Sequence, residues 1–168
     1  MYYRMAVNME PCDFDNVSEV ASYCLREKLF DEARELYNSL LRLPLDSCKR
    51  ADTFQALGDV YRDQNRTARA ITYYESAKDI YKPLAKYCRQ VYLPDLARTL
   101  YNLSILYFTK KDFINGLSCF QETLDYYIEL KEREPATYTD RLAHTYYRMG
   151  MLFFEMKQFR NARIYFND

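Results

Sequence analysis

Leu57-Gly58-Asp59-Val60-Tyr61 returns as Leu103-Ser104-Ile105-Leu106-Tyr107 and again as Met149-Gly150-Met151-Leu152-Phe153, at a constant spacing of 46 residues. Twelve residues after each small residue comes another: Ala70, Gly116 and Ala162. Four further on comes an aromatic: Tyr74, Phe120 and Phe166. The 168-residue chain has only three glycines, and all of them fall in this register. A fixed period of this kind marks stacked supersecondary units rather than one globular core. Glycine inside a helix costs about 1 kcal/mol relative to alanine, so it needs a compensating reason. Close approach of two helices supplies one. Gly58 with Tyr74, Ser104 with Phe120 and Gly150 with Phe166 are the expected pocket-and-bulge pairs. Apolar residues at helical spacing flank all three small positions, which puts them in helices rather than loops.

These residues resemble the tetratricopeptide repeat, a helix-turn-helix whose signature runs W-x2-L-G-x2-Y, then A-x3-F, then P. Phe54, Leu57, Gly58, Tyr61, Ala70, Tyr74, Ala77 and Pro83 carry the fullest match. Val17, Val20, Ala21, Cys24, Ala33, Tyr37, Leu40 and Pro44 form an earlier copy, 37 residues upstream. Tyr3, Ala6 and Pro11 read as the end of a preceding second helix. The resemblance implies an all-α fold, an α-α superhelix (tetratricopeptide solenoid) of about four helix-turn-helix repeats with half-repeats at the ends. It is expected to form a single domain over 1–168, with a tail of a preceding repeat at 1–11 and repeats at 14–46, 51–92, 97–138 and 143–168.

The later copies exceed the usual period of about 34 residues. The excess falls between Tyr81 and Tyr92 and between Tyr127 and Tyr138. Tyr92-Leu-Pro-Asp-Leu-Ala97, running on to Leu103, resembles the long-helix repeats of the kinesin light chain type. We read longer second helices followed by a short loop. A proline in a helix interior removes a backbone donor and costs roughly 3 kcal/mol. A kink or break is therefore expected near Lys82-Pro83, and none at the equivalent Glu129.

Apolar residues make up 49% of the chain and charged residues 29%, ordinary for a folded domain. Eighteen tyrosines and ten phenylalanines, with no tryptophan, fall mostly at repeat-core positions. The formal net charge is zero, from 24 basic and 24 acidic residues. A nucleic-acid binder carries a basic excess or stripe, so no direct nucleic-acid partner is expected. No apolar run approaches the ~18 residues of a membrane span, and no signal-peptide pattern opens the chain. The five cysteines, Cys12, Cys24, Cys48, Cys88 and Cys119, are odd in number and form no CxxC. A reducing, cytoplasmic setting is the simplest reading.

Signs of catalysis are lacking. The one histidine, His144, lies beside Arg141 and Arg148, with no acid or cysteine at metal-ligand spacing. A catalytic histidine needs a positioned partner and a nucleophile. Gly-rich phosphate loops, HExxH and GxSxG are absent from the sequence. Asp31-Glu32 and Glu132-x-Glu134 read as helix-start or solvated carboxylates. No enzyme, metal or cofactor is expected.

Function must then come from surface shape. In such repeats the concave face is lined mainly by the first helix of each pair. Spacings of three and four define one stripe per helix: Gln55, Asp59 and Arg62; Arg98, Tyr101, Asn102, Ile105 and Phe108; His144, Tyr147, Arg148, Met151 and Phe154. Aromatic and aliphatic groups mixed with amide and guanidinium donors suit a peptide or partner helix. Arg98, His144 and Arg148 make one end of this groove basic, and Asp52 and Asp59 make the other acidic. Phe108 and Phe154 are expected to pack on neighbouring repeats instead. Some tetratricopeptide proteins bind chaperone C-termini through a carboxylate clamp of Lys, Asn and Arg. Asn102 and Arg148 match two of its places. Gln55, Asp59 and His144 stand where Lys, Asn and Lys belong, and Asp59 repels a carboxylate, so the clamp is not expected.

The leading reading is a non-catalytic protein-protein interaction module. A second makes the segment architectural, self-associating through uncapped apolar ends at Tyr3 and Ala6 and at Phe159, Ile164 and Phe166. A third makes it the sensor module of a regulatory protein.

Overall fold

The computed structural model describes residues 13–167. The expected half-repeat at Tyr3, Ala6 and Pro11, and Cys12, lie outside the described residues. Among those described there are eight helices and no strand: α1 Phe14–Arg26, α2 Phe30–Leu40, α3 Ser47–Asp63, α4 Thr67–Tyr87, α5 Arg89–Thr109, α6 Phe113–Arg133, α7 Pro135–Glu155 and α8 Phe159–Asn167.

Local chemistry sets their ends. Asp13, Asp46 and Asp112 cap α1, α3 and α6, each carboxylate accepting a backbone N–H from the first turn. Pro135 opens α7, where its missing donor costs nothing. Helices α1, α3, α5 and α7 end alike. Lys28, Asn65, Lys111 and Lys157 adopt φ values of 60°, 58°, 59° and 59°. The next residue's N–H then reaches back to a carbonyl five residues earlier: Leu29 to Cys24 and Arg66 to Tyr61 at 2.8 Å, Asp112 to Tyr107 and Gln158 to Phe153 at 2.9 Å. This is a Schellman closure. The last three left-handed residues keep the 46-residue register, yet none is a glycine.

The second helices are long, as expected. The following helices also start early, so a single residue, Cys88 or Glu134, joins each pair to the next. Helix α4 is not broken at Pro83 and runs on to Tyr87. Pro83 forfeits only the bond to the carbonyl of Asp79, and both residues are exposed, so water can take that acceptor. Pro94 sits inside α5 in the same way, against the exposed Gln90. Helix α6 passes through Glu129 unbroken.

The described residues form two compact units, divided between Ile80 and Tyr81, inside α4. In the first, α1 packs on α2, α2 on α3, and α1 also touches α3. Ala21, Cys24, Ala33, Tyr37 and Leu40 form the interior, and the Tyr37 hydroxyl meets Ser22 Oγ at 2.9 Å. The ring of Tyr74 covers Gly58, and Tyr73 stacks on Tyr61 at 5.2 Å. In the second unit α5 packs on α6, α6 on α7, α7 on α8, and α5 touches α7. Its core joins Leu93 and Ala97 to Phe120, Tyr127, Met149 and Leu152. The ring of Phe166 covers Gly150 as Tyr74 covers Gly58.

Candidate interaction surface

The three stripes are not equivalent. On α3, Gln55 is buried, with 1% of its surface exposed, and neither its amide nitrogen nor its amide oxygen has a hydrogen-bond partner. It is not presented to a partner as the sequence suggested. Asp59 and Arg62 are half-buried and locked to each other at 2.8 Å. The Tyr74 hydroxyl donates to Asp59 Oδ1 at 2.6 Å and accepts from Arg62 at 3.2 Å. Burial and the Asp59 charge push the Tyr74 phenol far above its ordinary value, so it stays a donor. Asp59 is thus held by a guanidinium and a hydroxyl, while Arg62 also pairs with Asp63 at 3.0 Å.

On α5, Tyr101, Ile105 and Phe108 are half-buried and lie against the core of the second unit. Tyr101 meets Phe120 edge-on at 6.4 Å, and Phe108 meets Phe113 at 6.3 Å. Asn102 is half-buried as well. Arg98 is exposed and pairs with Asp95, one turn back, at 3.1 Å.

On α7 the stripe is open. His144 and Arg148 are exposed, Met151 is half-buried, and Tyr147 and Phe154 are 53% and 51% exposed. Neither His144 nor Arg148 has an ion-pair partner among the described residues. Tyr147 tilts against Phe166 at 5.8 Å, and Phe154 against Phe159 at 5.4 Å. Phe154, expected to pack, is therefore only half covered. Phe159, Ile164 and Phe166, expected to be uncovered, are 59%, 57% and 44% exposed.

Arg141 entered the sequence reading only as a neighbour of His144. It lies over the Tyr138 ring at 5.8 Å, and its guanidinium tempers the rise that burial imposes on the buried Tyr127 phenol. No group of His, Cys, Asp or Glu able to hold a metal occurs among the described residues. Cys24, Cys48, Cys88 and Cys119 are free thiols. No helix among these residues is long and apolar enough to cross a membrane.

The sequence profile of the tetratricopeptide repeat matches residues 51–83 and 143–168. Those two segments are tetratricopeptide repeats. No curated protein sequence matches it significantly. Among solved structures, it is similar to MamA at a TM-score of 0.73 and 15% identity, over 98% of this chain and 81% of that one. It is similar to BtubC (BKLC) from P. vanneervenii at a TM-score of 0.70 and 19% identity, over 98% and 65%. It is also similar to the Rap conjugation gene regulator of plasmid pLS20, solved in complex with a Phr peptide, at a TM-score of 0.66 and 16% identity, over 92% of this chain but only 40% of that one. These likenesses establish the fold, an all-α tetratricopeptide solenoid.

Proposed function

We propose that these repeats form a non-catalytic module that binds a peptide or partner helix along the concave side lined by the first helices. The observation that carries this reading is the α7 stripe. His144, Tyr147 and Arg148 are exposed at i, i+3 and i+4, joining an aromatic anchor to an imidazole and a guanidinium with no ion-pair partner among the described residues. Arg98 and Asn102 are the matching donors on α5, with Tyr101, Ile105 and Met151 as half-buried walls. The Rap regulator, which holds a Phr peptide, shares this fold, and that supports a peptide-sized ligand. Free thiols at Cys24 and Cys119, both buried, support a reducing compartment such as the cytoplasm.

Tyr147→Ala combined with Arg148→Glu tests this in affinity capture with the intact chain. Captured proteins should be lost while helicity and melting hold. Partners retained in full by the double variant would remove the groove assignment.

A further inference from the structure

We draw no further inference here: the strongest candidate, the buried side-chain cluster on α3 and α4 in which the unbonded Gln55 amide stands one turn from Asp59, Arg62 and Tyr74, carries nothing, because nothing in the structure shows what would reach an amide only 1% exposed.

Discussion

The ring of Tyr74 occupies the space that a side chain on Gly58 would need: a Cβ there would stand 2.7 Å from both Cδ1 and Cε1. The ring cannot easily yield, because it is fully buried and its hydroxyl is held by Asp59 and Arg62. Gly150 has the same relation to Phe166, with a Cβ 2.5 Å from Cε1, but that ring is 44% exposed and has room to swing outward. Gly116 differs, since its nearest neighbour would be Leu152 Cδ1 at 3.4 Å, an ordinary contact. Alanine in a helix gains up to about 1 kcal/mol over glycine, while overpacking costs about 1–3 kcal/mol. Gly58→Ala should therefore destabilise most, Gly150→Ala less, and Gly116→Ala should be neutral or stabilising. Urea unfolding of the three variants checks the order.

Lys111 holds φ at 59° in a turn that most proteins would give to glycine. A left-handed residue with a side chain costs about 1–2 kcal/mol, part of which glycine returns through its freer unfolded chain. Lys111→Gly should raise stability by about 0.5–1 kcal/mol. Asn65→Gly should gain less, because asparagine tolerates this conformation. Thermal melts of the two variants decide it, and a loss of stability at both would contradict the turn geometry.

The repeat and two of its pocket-and-bulge pairs, Gly58 with Tyr74 and Gly150 with Phe166, were legible in the sequence because small and aromatic residues return in a fixed register. The left-handed turns were not, since Lys28, Asn65, Lys111 and Lys157 share a backbone conformation and no residue type. Pro83 and Pro94 look like helix breakers, yet each gives up a single bond on an exposed side, a detail of facing rather than of composition. Stripe positions were legible by spacing, but their exposure was not. Tyr101 and Tyr147 occupy the same register, and only the arrival of α7 over the α5–α6 pair turns the first into wall while the second stays open. Asp59 read as a free acid because its partner hydroxyl lies fifteen residues away on another helix.

Gln55 keeps a full amide in the interior with neither atom bonded to protein. Such a group costs about 1–3 kcal/mol of desolvation. Methionine has nearly the same length and no polar atom. Gln55→Met should raise stability by about 1–2 kcal/mol, read as a higher urea midpoint with an unchanged slope. A lower midpoint would mean that the amide is satisfied in solution.

Arg89 and Glu129 form a two-pronged pair across α5 and α6, Nε to Oε1 at 2.7 Å and Nη2 to Oε2 at 2.6 Å, with Arg133 adding a longer contact at 3.7 Å. The bonds from Arg89 hold the Glu129 carboxyl below its ordinary value of 4.5. A depressed carboxyl stabilises the fold above that ordinary value, and the gain disappears as pH falls through the lower folded one. Arg89 is about half exposed, so solvent screening limits the effect to about 0.5–1 kcal/mol. Glu129→Gln should melt below wild type at neutral pH. The two curves should converge below the ordinary carboxylate range, and added salt should narrow the neutral gap. A gap that persists unchanged in acid would show that Glu129 acts through packing rather than charge.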